Sequence, residues 1–279
     1  MELLTLLFNI SIVIFVIATM VSIGFGLRVS EIIEPLKSPI LILNVLITNF
    51  VIVPLSILVI VSIIPIDEGA KIGLIILSLA SGAPFTPKLV EIAKGNIAVA
   101  TAVMLLQMVS TVFILPFALP LMIGGDIIVD SLGIAKSLIV MMIIPLAISL
   151  WISSKFKNIA EVWQGAMVKI SNIALLVIII TLTILNGKDI LAVFGYDMFA
   201  VVIFMITSLI IGYFAGGRVY SNRIVSSLSV AQRNISAGLV VSAQNFSGNP
   251  KVTITIIAVA IIGLFIMLFS AKKFANIQY

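Results

Sequence analysis

Long apolar runs separated by short polar stretches fill most of the 279-residue sequence. Nine such runs occur, at about residues 4–27, 38–64, 70–95, 97–123, 134–154, 166–186, 194–216, 225–246 and 252–271. A helix needs about 20 mostly apolar residues to cross the hydrocarbon layer of a membrane. The pattern therefore predicts an all-α polytopic membrane protein with about nine transmembrane helices, in a single domain of residues 1–279.

The composition agrees with a protein that is surrounded by lipid. Hydrophobic residues make up 62% and charged residues 10% of the sequence, whereas about a quarter of the residues of a soluble domain are charged. A soluble fold could not bury this much apolar surface, so a lipid bilayer is the predicted surrounding. The first run lacks a small-residue cleavage site, and we interpret it as a retained span rather than a signal peptide.

The residue types that the sequence lacks narrow its function. There is no cysteine and no histidine, which excludes thiolate nucleophiles, imidazole bases, disulfides and the metal sites that need these ligands. Without a nucleophile–base set, an intramembrane enzyme is disfavoured. No basic run with interleaved aromatic residues occurs, so nucleic acid is not an expected partner, and no cofactor is predicted.

The basic residues between the apolar runs predict the orientation in the membrane. If the N-terminus is outside, nine of these residues lie on the cytoplasmic side and four on the opposite side. The cytoplasmic set is Arg28, Lys37, Lys94, Lys155, Lys157, Arg218, Arg223, Lys272 and Lys273, and the outer set is Lys71, Lys136, Lys188 and Lys251. Because cytoplasmic loops carry the excess of Lys and Arg, we predict a multi-pass protein of the cytoplasmic membrane with its N-terminus outside and its C-terminus inside.

The third and eighth runs contain features that interrupt a helix. The third holds Pro84 and Pro87, and a proline inside a helix removes a hydrogen bond and clashes with the preceding turn. We predict an unwound stretch near Phe85–Lys88, and a second break at the polar residues Gln232–Asn234. Interrupted helices in corresponding positions of two halves indicate a transporter binding site. Ordinary kinks and polar contacts between helices are the alternatives.

Lys88 and Arg233 are the two basic residues that neither loops nor helix ends accommodate, and each lies in an interrupted run. A charge at mid-membrane costs about 2.5 kcal/mol or more, so such a residue is a functional candidate by default. Glu91 follows Lys88 by three residues and would share its helical face. Pairing of Glu91 with Lys88, a solvated Glu91, an interfacial Lys88 and a purely structural Arg233 are the alternatives.

Five stretches resemble the bile acid:sodium symporter family, in an order that covers nearly the whole chain. They are SIGFGLRVSEI (Ser22 to Ile32), TNFVIVPLS (Thr48 to Ser56), SGAPFTPKLVEIAKGN (Ser81 to Asn96), IIGYFAGGR (Ile210 to Arg218) and SVAQRNISAGL (Ser229 to Leu239). The resemblance implies inverted repeats, with a core domain that holds two crossing discontinuous helices and a panel domain beside it. In this chain the core would comprise about residues 38–123 and 194–271, and the panel about 4–27 and 134–186.

Members of this family bind two sodium ions near the crossing helices, and this chain departs from their ligand pattern. The resemblance puts Ser229 where the family has a glutamate and Arg233 where it has a glutamine, whereas Asn234 and Asn49 keep their amides. The remaining ligand positions of the family fall on Thr86, Pro87, Ala100 and Met104. Most of the sodium ligands are therefore replaced, and two fixed cations are added.

We therefore predict a secondary transporter of a small organic anion, in which Lys88 and Arg233 take the place of the two sodium ions. A carboxylate or sulfonate would bind where the half-helix N-termini converge and at the planar guanidinium of Arg233. Lys88 would be a second contact or a proton-sensitive switch. The candidate binding residues are Lys88, Arg233, Asn234, Gln232, Thr86, Asn49, Ser229 and Glu91.

Other functions stay open at this point. Without sodium, transport would be proton-coupled, exchange or uniport. A sodium-coupled symporter of organic anions could instead keep a residual ion site at Asn49, Gln232 and Asn234, so either protons or sodium could be the coupling ion. A non-transporting membrane sensor or binding protein is a further alternative. A channel is compatible with the composition, but the sequence has no filter-like run.

Overall fold

The computed structural model describes residues 2–27, 39–124, 129–192 and 195–277, and these ranges form helices and short connections. The helices are α1 (Glu2–Gly26), α2 (Pro39–Ile63), α3 (Glu68–Leu79), α4 (Thr86–Ile92), α5 (Ile97–Ile123), α6 (Ser131–Lys155), α7 (Lys157–Ala192), α8 (Tyr196–Ala215), α9 (Tyr220–Ala231), α10 (Ile235–Asn245) and α11 (Pro250–Ile277). The all-helical fold class is therefore confirmed for the described residues. Arg28, Lys37 and the end of the stretch Ser22 to Ile32 lie outside them.

Seven of these helices are long and apolar enough to cross a membrane, namely α1, α2, α5, α6, α7, α8 and α11. The third and eighth apolar runs each form two shorter helices instead, α3 with α4 and α9 with α10. The sixth run extends well beyond the predicted residues 166–186, because α7 has 36 residues and bends at Asn186, whose backbone is non-helical. The number of membrane crossings stays a prediction.

Helix packing separates two groups of neighbours. α1 packs mainly against α6 and α7, and α11 packs mainly against α3 and α8. A Cβ atom added to Gly24 of α1 would lie 2.7 Å from the carbonyl oxygen of Leu146. Only a glycine allows this approach of α1 to α6, and small residues commonly permit such close contacts between membrane helices. The outward faces carry large apolar side chains such as Leu55, Phe113 and Phe265, as expected of surfaces in contact with lipid.

The first interruption lies earlier in the sequence than predicted. α3 ends at Leu79 and α4 begins at Thr86, so the non-helical stretch is residues 80–85 and not Phe85–Lys88. Pro84 lies within the non-helical stretch. Pro87 does not break a helix, because it lies in the first turn of α4, where its missing N–H has no helical partner to lose. The chain turns at Gly82, whose φ of +81° is readily adopted only by glycine.

The second interruption is where the sequence predicts it. α9 ends at Ala231 and α10 begins at Ile235, so Gln232–Asn234 are non-helical without any proline. Three consecutive polar residues between apolar flanks, with Gly238 nearby, predicted this break.

Candidate functional site

The two interruptions meet in the interior of the protein. Ser81 and Arg233 form an isolated antiparallel bridge, and the backbone N–H of Asn234 donates to the carbonyl of Ala80 at 3.0 Å. In an apolar interior every freed backbone group needs a partner. Each interruption supplies partners for the other, so the two broken segments cross and hold each other at their non-helical residues.

Asn234 joins both interruptions through its side chain. Its amide nitrogen donates to the carbonyls of Gly82 at 3.1 Å and Ser81 at 3.4 Å. Its amide oxygen accepts from the backbone N–H of Ala237 at 3.1 Å and caps α10. A side-chain amide can donate and accept hydrogen bonds at the same time, which explains why an asparagine occupies position 234. The N-terminus of α10, where we expected a substrate anion, therefore already has an acceptor from within the chain.

Helix α5 supports both interruptions from one side. The hydroxyl of Thr111 accepts from the backbone N–H of Ser81 at 2.9 Å and donates to its carbonyl at 3.0 Å. One turn earlier, the amide of Gln107 donates to the carbonyl of Ser229 at 3.3 Å. A Cβ atom on Gly82 would lie 2.2 Å from the backbone nitrogen of Met108. The first interruption therefore lies directly against the backbone of α5.

The guanidinium of Arg233 lies in a pocket of neutral oxygen atoms. One terminal nitrogen donates to the side-chain oxygen of Asn49 at 3.1 Å and to the carbonyl of Ser78 at 3.3 Å. The other donates to the hydroxyl of Ser208 at 3.4 Å, and the group lies 5.3 Å from the ring centre of Phe204. Arg233 is 2% exposed. Within the described residues, no carboxylate pairs with it.

The position of Asn49 depends on a local irregularity of α2. Residues Thr48–Ile52 form a π-helical turn, and Pro54 follows two residues after its end. The amide nitrogen of Asn49 donates to the carbonyl of Val45 at 3.1 Å, which leaves the amide oxygen directed at Arg233. Short π-helical segments occur frequently at functional sites.

Several oxygens near the interruptions are buried without a hydrogen-bond partner among the described residues. They are Oγ of Ser81, Oγ1 of Thr86, Oε1 of Gln107 and Oγ of Ser229. Buried polar groups normally have partners. The interior near the two interruptions therefore holds oxygens that the described residues leave unpartnered, and Nε of Arg233 is a buried donor that likewise lacks a partner among them.

Lys88 and Glu91 lie apart from the Arg233 pocket. They form an ion pair at 2.7 Å on the face of α4, with 58% and 50% of their side-chain surfaces uncovered. The expected shared helical face is confirmed, and the alternative in which these two residues pair is the observed one. Lys88 belongs to α4 and not to the unwound stretch.

A cavity of about 500 Å³ adjoins the first interruption. Helices α1, α5 and α7 form its walls together with Pro84, Phe85 and Pro87. Its polar lining consists of hydroxyl and amide groups, from Thr19, Ser22, Thr101, Gln164, Ser171 and Asn172. Arg233, Gln232 and Lys88 are not among its lining residues, and Gln232 is half-buried.

A second cavity of about 260 Å³ lies near the other ends of α1 and α7. Its lining includes Asn9, Asn186 and Thr253. The two cavities thus lie at opposite ends of the same pair of helices.

Sequence reasoning identified Arg233, Asn49, Asn234 and Ser229 and missed the residues that complete their surroundings. These residues, Ser78, Ser208, Phe204, Gln107 and Thr111, lie within apolar runs. In such runs a hydroxyl or an amide also occurs as an ordinary contact between helices. The only available signal was the presence of Gln107 and Thr111 four residues apart on one face of α5.

Interrupted helices that meet inside a bundle of membrane-length helices are the architecture of secondary transporters, and fold and site together indicate this class. The chain belongs to the Sodium Bile acid symporter family, whose profile matches residues 13–193. It is 23% identical over 195 residues to the "Probable sodium/metabolite cotransporter BASS3, chloroplastic" of Oryza sativa subsp. japonica. That match covers 70% of this chain and 46% of the relative, so the chain spans about half the length of this curated relative.

The family match stops before the second interruption. It includes α3, α4 and Asn49, whereas Arg233 and Asn234 follow residue 193. The arginine pocket is therefore formed jointly by a matched and an unmatched part of the chain.

Proposed function

We propose that this protein is a secondary transporter that moves a small organic anion across the cytoplasmic membrane without sodium. The supporting observation is the guanidinium of Arg233, which is buried among the oxygens of Asn49, Ser78 and Ser208. Side-chain oxygens and unwound backbone carbonyls are the groups that coordinate sodium in transporters with broken helices. Arg233 is thus a cation that the chain itself supplies at such a position.

A fixed charge at this position disfavours a mobile cation beside it. Two unit charges 4 Å apart repel each other by about 4 kcal/mol at an effective dielectric constant of 20. The hydrogen bonds that Arg233 donates also occupy the oxygens of Asn49, Ser78 and Ser208, which an ion would need as ligands. One of the family's two ion positions is then filled permanently. We no longer assign the other position to Lys88, because Glu91 already pairs with it.

The proposed topology has nine membrane crossings, with the N-terminus outside. The pairs α3–α4 and α9–α10 each cross once, in addition to the seven long helices. α1, α6 and α7 form the panel, and the remaining helices form the core with both interruptions. Movement of the core against the panel would open the cavities near the two ends of α1 and α7 alternately.

The substrate would bind in the cavity between the panel and the first interruption. Its volume of about 500 Å³ is within the usual range for small-molecule sites. Gln164 and Asn172 offer neutral donors to a carboxylate or sulfonate, and Phe85 and Met104 offer apolar surface to its body. In this arrangement Arg233 stabilises the crossing without touching the substrate, while Lys88 and Glu91 lie toward the cytoplasmic end.

A sodium-coupled symporter is the second candidate function. The name of the rice relative describes a probable sodium/metabolite cotransporter. The unpartnered oxygens of Thr86, Gln107 and Ser229 also favour this candidate, because they leave acceptors for one cation outside the arginine pocket.

Thermal unfolding of the purified protein in detergent distinguishes the two candidates. Sodium chloride and choline chloride are compared at equal ionic strength, and then choline salts of pyruvate, pantoate and taurocholate are added. A ligand at 100 times its Kd stabilises the folded state by about 2.7 kcal/mol. We expect no sodium-specific shift of the unfolding temperature and a shift with at least one anion. A sodium-specific shift at millimolar concentration would support the symporter instead, and binding of none of the anions would contradict the proposed substrate class.

A further inference from the structure

The proposed function leaves open what drives transport, and the charges around the crossing bear on this question. We infer that the protein is an electrogenic uniporter, in which the only charge moved per cycle is that of the substrate anion. Because the cell interior is negative, the membrane potential would drive such an anion outward. The protein would therefore export its substrate. This inference rests on the proposed function and adds the driving force and the direction.

The cation at the crossing cannot couple transport to an ion gradient. A coupling ion must bind on one side of the membrane and dissociate on the other. The guanidinium of Arg233 is covalently attached to the chain, and its terminal nitrogens donate hydrogen bonds to Asn49, Ser78 and Ser208. An arginine also keeps its charge in proteins. Arg233 therefore returns to its starting place in every cycle with the charge that it had.

Protons need a titratable group that both sides of the membrane reach in turn. Helices α2, α5 and α10, which surround the crossing, contain no Asp, Glu, Lys, Arg, His or Tyr. The other elements around it carry their ionisable residues toward their ends, apart from Arg233. These residues are Glu68 and Lys71 of α3, Lys88 and Glu91 of α4, Asp197 and Tyr213 of α8, Tyr220 and Arg223 of α9, and Lys251, Lys272 and Lys273 of α11.

The acids in this set already have partners from within the protein or lie far from the crossing. Glu91 pairs with Lys88 at 2.7 Å. Asp197 accepts the backbone N–H of Asp67 at 2.9 Å, at the end of the bundle where α3 begins. Glu68 lies in the first turn of α3, about three turns from the interruption. None of these carboxylates lies between the substrate cavity and the Arg233 pocket.

The described residues that line the cavity add no compensating charge. Their side chains are all neutral. Every charge of the protein returns after a full cycle, and under the proposed function no sodium ion moves with the substrate. The net charge transported then equals the charge of the substrate. A potential of 100 mV corresponds to about 2.3 kcal/mol per elementary charge, which is an accumulation ratio of about 50-fold for a monovalent anion.

Proteoliposomes with the full chain test this inference. A potassium gradient with valinomycin sets the potential to either sign, at equal pH and in choline buffers on both sides. Uptake of radiolabelled pyruvate, pantoate and taurocholate is measured. We expect at least one of them to accumulate when the interior is positive, by up to about 50-fold at 100 mV, and to be excluded when the interior is negative. Protein-free liposomes give the passive background.

Imposed gradients complete the experiment. A sodium gradient or a pH gradient, each at zero potential, should leave uptake at the equilibrium level. Accumulation driven by sodium would contradict both the inference and the proposed sodium-independence. Accumulation driven by a pH gradient, or exchange that is insensitive to potential, would overturn the uniporter inference and leave the proposed anion transport standing. Absence of uptake for all three anions would overturn both.

Discussion

The guanidinium of Arg233 donates to the side-chain oxygen of Asn49 at 3.1 Å, across 184 residues of sequence. One partner comes from the non-helical stretch between α9 and α10, and the other from the π-helical turn of α2. This bond connects the second interruption to a helix outside the crossing. The positively charged guanidinium also occupies a pocket of oxygen atoms. The first prediction follows from this arrangement.

Replacement of Arg233 by glutamine should create sodium sensitivity. Arg233→Gln removes the charge and leaves the oxygens of Asn49, Ser78 and Ser208 around a neutral amide. We expect sodium, and not choline, to raise the unfolding temperature of this variant, because its pocket then has acceptors without a cation. Arg233→Lys is the matched control, since it keeps a charge there and should stay insensitive to sodium. Equal responses of both variants would contradict the role of Arg233 as a fixed cation.

Gly82→Ala should destabilise the protein strongly. The new Cβ would lie 2.2 Å from the backbone nitrogen of Met108, and the φ of +81° is unfavourable for alanine. Together these effects cost about 2 kcal/mol or more. Gly165 is the control, because a Cβ there meets nothing within 4 Å and alanine favours the helix. The measurement is the unfolding temperature in detergent, and a similar value for both variants would show that the first interruption is not held against α5.

Thr111→Val should loosen the first interruption. It keeps the volume of the side chain but removes the hydroxyl that bonds both the N–H and the carbonyl of Ser81. Leaving a buried donor unpaired costs about 1–3 kcal/mol. Thr183→Val provides the comparison, because its hydroxyl bonds only a carbonyl of its own helix at an exposed position. Hydrogen exchange of residues 80–85 should increase in the first variant and not in the second.

Acid should weaken one end of the protein through Asp67. Burial acts to raise the pKa of this carboxyl, but hydrogen bonds from Lys251 and from the backbone of Gly69 outweigh it and leave the pKa below its ordinary value. A group whose pKa is lower in the folded state stabilises the fold above its unfolded-state pKa, and loses this contribution as the pH falls through the folded-state value. Stability should therefore decline in the acid range, and Asp67→Asn should flatten this decline. An unchanged pH profile in the variant would exclude Asp67 as the cause.

Asn172→Ala should weaken anion binding. Asn172 lines the larger cavity with a neutral amide, and one hydrogen bond contributes about 1 kcal/mol, which is roughly a five-fold change in Kd. Asn9→Ala removes the same group from the smaller cavity near the opposite end of α1 and α7 and should leave binding unchanged. The ligand-induced shift of unfolding temperature measures both, and a larger loss in Asn9→Ala would reverse the assignment of the substrate cavity.

The sequence was sufficient for the helices and for the existence of both interruptions, because lipid imposes long apolar runs and makes polar exceptions conspicuous. It was misleading at Pro84 and Pro87. Proline is tolerated in the first turn of a helix as well as in an unwound stretch, so the prolines alone do not tell which side of the break they occupy. In the structure the chain turns at Gly82, and Lys88 lies in the first turn of α4.

Side-chain partners across the crossing were harder to predict. Arg233 was recognised as an unusual charge, but its contacts with Ser78 and Ser208 depend on how α3 and α8 pack. No local pattern encodes such long-range contacts. The same applies to Thr111, which gains its importance only because the first interruption passes directly over it.

The bridge between Ser81 and Arg233 also has a consequence for how such a protein responds to its surroundings. A dissociable ion occupies its site to an extent that follows the salt outside the cell. The guanidinium of Arg233 is covalently attached, so every molecule carries it at any salt concentration. If the proposed role of Arg233 holds, the contacts between the two interruptions form equally well at low and at high salt concentration. The transport rate then depends only on the substrate concentration and the membrane potential.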